Sequence, residues 1–352
     1  MARNTKSNKI AIISPSGNFY GSERVLLDFL KNTTNQYSVY LPEKSVFLTE
    51  INRNQLLHKI KTFSSLPILY LELFFQLLSN KLTCIYANEG GHVRFIRLLA
   101  RCFPKLKFII HIRIIEDTYK NRLKNLPDNI TLIAISDFIV DKLHEYNHVV
   151  KIYDPYDYQM YILEPNIHTN AFDIGVIGRV TKTKGIENAY NFFSFLDKSP
   201  KSDIVYQVNF YGTIEETEDV KDFVSKMESF KNIKIEFKGF IGNTLDIYSN
   251  TNCILHFNSV EPLGRIFFEA VNFKIPFIGF NTGGIGEIAN ELGMQKYVVS
   301  PVDNWEFEMH KILMSVIGNP SQTKANLIMA ETKMKNIFNV KNYVNELEIQ
   351  LY

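Results

Sequence analysis

Glu261-Pro262-Leu263-Gly264-Arg265-Ile266-Phe267-Phe268-Glu269 follows a short apolar run at 253–257 and leads into an apolar helical pattern. A strand that feeds a turn and then a helix is the unit from which parallel α/β sheets are built. Ile266, Phe267, Phe268, Ala270, Val271 and Phe273 fall on every side of the predicted helix, which implies burial all round. Glu269 lies among them, and an ionised carboxylate in such a place is costly without a partner. Glu261 comes before the first turn. Eight helical residues rise about 12 Å, so the first-turn amides, which favour an anion, lie between the two carboxylates. That order is a template for a nucleotide sugar. Glu261 would hold sugar hydroxyls, the amides of Leu263, Gly264, Arg265 and Ile266 the diphosphate, and Glu269 the ribose. The plainer alternative is an ordinary helix in which Arg265 pairs with Glu269 one turn on.

The same alternation runs outward in both directions. Apolar runs at 9–14, 37–41, 84–87, 108–112, 131–135 and 149–153 read as strands, with helical patterns at 22–31, 92–102 and 137–146 between them. A polar stretch with two prolines, 154–170, reads as a linker. A second series follows at 172–177, 204–211, 233–237, 253–257, 276–280 and 297–299, and residues 304–352 read as helix throughout. The 352 residues fit two domains. The predicted fold class is α/β, with two tandem Rossmann-like domains over residues 1–165 and 166–335. A C-terminal helix, 336–352, would pack back on the first domain.

Composition narrows the partners. The formal charge of +2, from 39 basic and 37 acidic residues, argues against nucleic acid. Cys84, Cys102 and Cys253 are far apart and form no CxxC pair, so neither a zinc site nor a disulfide framework is expected, and a reducing cytosol fits. Arg3, Lys6 and Lys9 read as a solvated basic terminus, and the opening residues carry no signal-peptide core. The longest apolar stretch, residues 66–78, contains Pro67 and Glu72 and falls short of the roughly 20 residues a membrane span needs. It reads as a core helix, or as a membrane-facing one with Tyr70, Phe74, Phe75 and Leu78 as its stripe. The expected location is cytoplasmic, with the second reading adding peripheral contact at the inner face of the cell membrane.

Other strand ends carry chemistry. Gly178-Arg179 through Lys184-Gly185 closes the first strand of the second series, where Arg179 and Lys184 would neutralise a diphosphate. Gly212, Gly239 and Thr282-Gly283-Gly284 end further strands of that series, and glycines there let a ligand approach the backbone. In the first series, Gly17 and Gly21-Ser22-Glu23 sit in a loop that opens a helix, with Ser22 a natural N-cap. His111 and Arg113 share one face near a strand end, and Ser136-Asp137 reads as a cap.

These motifs resemble those of retaining glycosyltransferases of the GT-B fold, glycosyltransferase family 4, of the bacterial surface-polysaccharide type. Glu261 to Glu269 matches the family's E-x7-E element, Gly178-Arg179 through Lys184-Gly185 its GR…KG loop, and Thr282-Gly283-Gly284 with Glu287 its TGG…E turn. Gly21-Ser22-Glu23 is similar to its N-terminal Gly-Gly loop, with Ser22 for the second glycine. Asp154-Pro155 resembles its Asn-Pro strand exit. The resemblance implies domains facing across a cleft, the first taking the acceptor and the second the nucleotide-sugar donor. Gly21, Gly178 and Gly239 would line the donor site. His111, Arg179, Lys184 and Glu261 would be catalytic, with His111 reaching the donor sugar. It further implies transfer with retention, no metal and no other cofactor, and a glycan or lipid-linked glycan acceptor, as in capsule or O-antigen synthesis. A nucleotide-sugar epimerase of the same architecture and a non-catalytic nucleotide-sugar-binding subunit are the alternatives.

Overall fold

The computed structural model describes residues 9–56, 58–158, 171–199 and 204–352. Strands and helices alternate along them. The first series is β1 (Ile10–Ile13), α1 (Gly21–Asn32), β2 (Ser38–Pro42), α2 (Val46–Arg53), β3 (Lys59–Phe63), α3 (Leu66–Leu78) and β4 (Cys84–Ala87). It continues with α4 (Val93–Cys102), β5 (Lys107–Ile112), α5 (Lys120–Leu123), β6 (Ile130–Ala134), α6 (Asp137–Lys142) and β7 (Val149–Lys151). The second is β8 (Ala171–Ile177), α7 (Ile186–Lys198), β9 (Val205–Tyr211), α8 (Glu218–Glu228), β10 (Ile233–Gly239), α9 (Thr244–Tyr248) and β11 (Cys253–Leu255). It ends with α10 (Arg265–Phe273), β12 (Phe277–Phe280), α11 (Gly283–Leu292), β13 (Val298–Val299), α12 (Trp305–Gly318), α13 (Pro320–Ile337) and α14 (Val340–Leu351).

The chain divides into two compact units, residues 1–157 with 337–352, and residues 158–336. In each, every strand pair is parallel, and the strands read as apolar runs because helices cover the sheet. The first sheet has the order β3-β2-β1-β4-β5-β6-β7 and the second β10-β9-β8-β11-β12-β13. Strand order therefore reverses between β1 and β4 in one unit and between β8 and β11 in the other. In open α/β sheets a ligand crevice opens at such a switch point, beyond the carboxyl ends of the strands.

Sequence periodicity located every strand except β3. Its sequence, Lys-Ile-Lys-Thr-Phe, is polar and half exposed because it forms the sheet edge, where lysines discourage pairing with another chain. The expected linker is described only up to Tyr158; its remainder, and the 165/166 boundary, lie outside the described residues, as do Arg3 and Lys6. Helix α14 belongs to the first unit. Its Tyr343, Val344, Leu347 and Leu351 join the core formed by Val25, Phe29 and Tyr37, and each such buried side chain contributes about 1.5–3 kcal/mol. Glu348 anchors it further by accepting from Tyr37 Oη at 3.0 Å and Asn35 Nδ2 at 2.9 Å.

Helix α3 corrects the expected stripe. Tyr70 is buried and stacks on Phe95 of α4 at 3.9 Å, and Phe74 is half-buried against Phe103. The exposed face is instead Ile68, Leu71, Phe75 and Leu78, three or four residues apart. Among the described residues no helix is long and apolar enough to cross a membrane.

Candidate functional site

The second unit's switch point brings the ends of β8 and β11 together. Past Gly178 the chain leaves Arg179 exposed, and a single 3-10 turn, Lys182–Lys184, delivers Lys184. Gly185 follows at φ 80°, and a Cβ there would stand 2.1 Å from the Phe257 carbonyl oxygen. Only glycine lets the loop press so closely on the end of β11. The approach places Lys184 Nζ 2.8 Å from Glu261 Oε2. Asn258 Nδ2 donates to the same oxygen at 2.7 Å, and His256 Nε2 stands 3.7 Å away. Burial by itself would raise the Glu261 carboxyl; His256 and Lys184 outweigh it and hold the group well below the usual carboxylate range. A small cavity beside them is lined by Gly178, Arg179, Lys184, His256 and Phe257.

The Glu261 turn is seated by the glycine pair that follows β12. Gly284 N donates to Glu261 O at 2.8 Å, and Thr282 Oγ1 donates to Ser259 O at 2.7 Å. A Cβ on Gly284 would lie 2.3 Å from Leu263 Cα. The Thr282-Gly283-Gly284 turn thus spends its Gly284 amide on holding the neighbouring loop, where the sequence pointed to a ligand.

Helix α10 departs from expectation in two ways. It starts at Arg265, after Gly264 at φ 92°, so Glu261 lies in the preceding turn and the helical rise does not set its distance to Glu269. Nor is it buried all round: Phe267, Phe268, Ala270, Val271 and Phe273 are buried, while Arg265, Ile266 and Glu269 form a half-open strip. A carboxylate at position 269 therefore keeps some solvent. Its partner is Tyr248 at the end of α9, whose Oη donates to Glu269 Oε2 at 3.0 Å. The first backbone bond of the helix start runs from Phe267 N to Gly264 O at 2.9 Å. The amides of Leu263, Gly264 and Ile266 precede it and are of the kind a helix start leaves open for an anion. Gly212 and Gly239 end β9 and β10 with positive φ, and Gly212 N donates to Gly239 O at 2.8 Å, so the glycine strand ends form one rim.

The first unit has its own polar centre. His111 has no exposed surface; its Nδ1 bonds Tyr86 Oη at 2.8 Å, and its Nε2 stands 3.8 Å from Asp154. Burial and the nearby Arg113 guanidinium push its pKa well below the usual histidine range, so the ring is neutral. Arg113 Nε lies 3.1 Å from both Asp154 oxygens, Nη1 donates to the Asn88 carbonyl and side chain, and Nη2 to Tyr343 Oη at 3.3 Å. The Asp154 that stands in the strand exit is thus matched to Arg113. Gly21 opens α1, but the N-cap is Tyr20 rather than Ser22, and Glu23 Oε2 accepts from Tyr20 N at 2.9 Å. Ser136 caps α6 as expected, accepting from Ile139 N at 3.3 Å.

Sequence reasoning brought Lys184, Glu261 and Arg179 to one place and missed Asn258, His256 and Tyr248. His256 was legible as a strand-end polar residue. Tyr248 had no local signal, because α9 meets α10 only through the fold.

The family model for glycosyl transferases group 1 matches residues 162–345, more than half of the chain. The chain belongs to the glycosyl transferases group 1 family. No curated protein matches it in sequence. Among solved structures, this group 1 glycosyltransferase is similar to Alr3699/HepE of Anabaena in complex with UDP and glucose. That likeness has 18% identity and a TM-score of 0.75, covering 98% of this chain and 99% of that one. It is also similar to a glycosyltransferase from Rickettsia africae ESF-5, at 17% identity, TM-score 0.74 and 98% of each chain. The lipopolysaccharide outer core galactosyltransferase WaaB in its apo form follows, at 13% identity, TM-score 0.70, and 97% and 98% coverage. At such identities the likeness speaks for the fold, which is GT-B.

Proposed function

We propose that this group 1 glycosyltransferase moves a hexosyl group from a nucleotide-sugar donor to a glycan or lipid-linked glycan acceptor, with retention, in surface-polysaccharide synthesis. The donor site in this reading is the switch point of the second unit, within the domain expected over residues 166–335, and the acceptor falls to the domain expected over residues 1–165 with the C-terminal helix, 336–352. The observation that carries it is the ion pair of Lys184 and Glu261 beside an exposed Arg179, at the rim where β8 and β11 part.

Each residue has a task in this reading. Glu261, kept ionised, accepts from sugar hydroxyls. Arg179 and Lys184 take up the charge that develops on the leaving diphosphate, the electrostatic work a metal does elsewhere. The Leu263, Gly264 and Ile266 amides add hydrogen bonds, and Glu269, oriented by Tyr248, holds the ribose. The leaving phosphate then accepts the acceptor hydroxyl's proton on the face from which the sugar departs, which preserves configuration. His111, which the resemblance put at the donor sugar, is fully buried and bonded to Tyr86 Oη, so it makes no direct ligand contact in this reading. UDP is the first nucleotide to try, since Alr3699/HepE was solved with UDP and with UDP-glucose.

A cytoplasmic protein that touches the inner membrane face fits the exposed row Ile68, Leu71, Phe75 and Leu78. Phe95 and Leu98 of the adjoining α4 extend it, and Arg94 is exposed beside them. The test of the donor site is release of UDP from UDP-glucose by the full chain. Turnover that disappears in Arg179→Ala and Lys184→Ala supports the reading; wild-type turnover in either variant removes it.

A further inference from the structure

We infer that a cavity between α12 and α13 is a second ligand site of the second unit, which holds a neutral glycan through its hydroxyl groups at the end of the sheet away from the donor crevice. The inference goes beyond the donor-site reading. Only the choice of a sugar among hydroxyl-rich ligands draws on membership of the glycosyltransferase family.

The location follows from strand direction. Tyr297 directly precedes β13, in a single 3-10 turn at Gln295–Tyr297, and β13 runs parallel to β12. Gly178 and Glu261 come after the carboxyl ends of β8 and β11, so in this parallel sheet Tyr297 lies at the opposite rim. A cavity of about 380 Å³ opens there. That falls within the range of small-molecule sites, roughly 300–1,000 Å³.

The residues of α13 show why the space is polar. Further along the helix its buried face is apolar, at Leu327, Ala330 and Met334. It opens instead with Thr323 and Asn326, each more than nine-tenths buried, where a helix packed on a core ordinarily carries apolar residues. Asn319 and Gln322 continue the same face toward the helix start, and Ser315 lines the cavity from α12. The polar atoms form an ordered array. Gln322 Nε2 donates to Asn326 Oδ1 at 3.2 Å, and Asn326 Nδ2 donates to Tyr297 Oη at 2.9 Å. The Tyr297 hydroxyl accepts in that bond and still has a proton to give. Support of Tyr297 accounts for Asn326 and Gln322, but not for the Thr323 hydroxyl or for the open space beside them.

The ligand class follows from charge. The floor, Tyr297, Thr323 and Asn326, is uncharged. Charges stand at the rim, where Lys311 pairs with Glu308 at 2.9 Å and Lys296 lies over the Tyr297 ring at 5.4 Å, all three exposed. Such charges are solvated and screened, so an ionic ligand gains little from them. Amides and hydroxyls both donate and accept, as the hydroxyls of a sugar do. A chain of neutral sugars therefore matches the cavity, and a glycosyltransferase holding one there would keep a growing glycan close without occupying the donor crevice.

The experiment titrates maltose into the full chain by saturation-transfer NMR with excess UDP present, with glucose 6-phosphate as an anionic control and UDP affinity read by calorimetry. Maltose should bind wild type. Gln322→Leu and Thr323→Val, which keep the size and remove the polar group, should each weaken it by about 10-fold. Ser315→Phe, at an exposed position, should fill the cavity and abolish maltose binding while leaving the melting temperature and UDP affinity unchanged. Lys184→Ala should bind maltose as wild type does. No maltose binding to wild type, or equal affinity in Ser315→Phe, overturns the inference. Loss of maltose in Lys184→Ala overturns it as well, since the sugar would then sit in the donor crevice, and tighter binding of glucose 6-phosphate overturns the neutral class. Absence of UDP binding to wild type counts against the donor site alone.

Discussion

Glu261 and Glu89 stand at matching places in two similar sheets, each just past the strand where order reverses, and their surroundings drive them to opposite charge states. Lys184, Asn258 and His256 gather round Glu261 and keep it ionised. Glu89 faces a second carboxylate, that of Glu23, and the nearby Arg113 is already paired with Asp154, so burial and Glu23 push its carboxyl up to about 8. The same topology thus builds one crevice with spare positive charge, suited to a diphosphate, and one without. Fold supplies the place; the side chains at the strand ends decide what is held there.

The largest effect expected from this contrast is catalytic. Arg179→Ala and Lys184→Ala should each lower turnover of UDP-glucose by about 10²- to 10³-fold, the range for removing one preorganised charge donor. Arg179 is exposed, so its variant should melt with the wild type. Glu89→Gln should leave UDP-glucose hydrolysis without acceptor unchanged; an equal loss there would erase the distinction between the two crevices.

A second effect separates the two carboxylates of the donor site. Glu269→Gln should weaken UDP by about 10-fold, because a charged acceptor for ribose hydroxyls is lost. Glu261→Gln should spare UDP and weaken only the sugar-dependent part of UDP-glucose affinity. Calorimetry with both ligands reads the difference, and a reversed pattern would exchange their roles.

The third is a pH signature of stability. The Glu89 carboxyl is raised on folding, so the folded state binds the extra proton between the ordinary value of about 4.3 and about 8, and stability falls as pH rises through that window. Glu261 is depressed on folding, so its contribution is present above about 4.3 and is lost as pH falls below it. Denaturation midpoints across pH should therefore lose their downward slope toward pH 8 in Glu89→Gln and their acid-side fall in Glu261→Gln. Identical profiles in wild type and Glu89→Gln would break the comparison.

The smallest effect lies on α3. Replacing Phe75 and Leu78 with Ser should reduce sedimentation with anionic liposomes and barely move the melting temperature, since both are more than half exposed. Unchanged sedimentation would leave that face without a membrane role.

What was legible in the sequence follows from range. Strands buried on both faces announce themselves as apolar runs, so nearly all of both sheets could be read, while the edge strand β3 could not. Gly185, Lys184 and Glu261 carry a local signature, because a tight approach demands glycine wherever it occurs. The partners Tyr248 of Glu269 and Glu23 of Glu89 come from distant segments, joined only by strand order. The stripe on α3 was misread for a related reason: Tyr70 is buried by Phe95 of the next helix, a contact that helical periodicity does not contain.

The central claim is that the Lys184–Glu261 crevice is the donor site, and titration of UDP into wild type, Lys184→Ala, Glu269→Gln and Glu89→Gln tests it most directly. The account predicts binding to wild type and Glu89→Gln alike, with losses of about 10-fold in Lys184→Ala and Glu269→Gln. Equal affinity in all four proteins, or no binding to any, would contradict it.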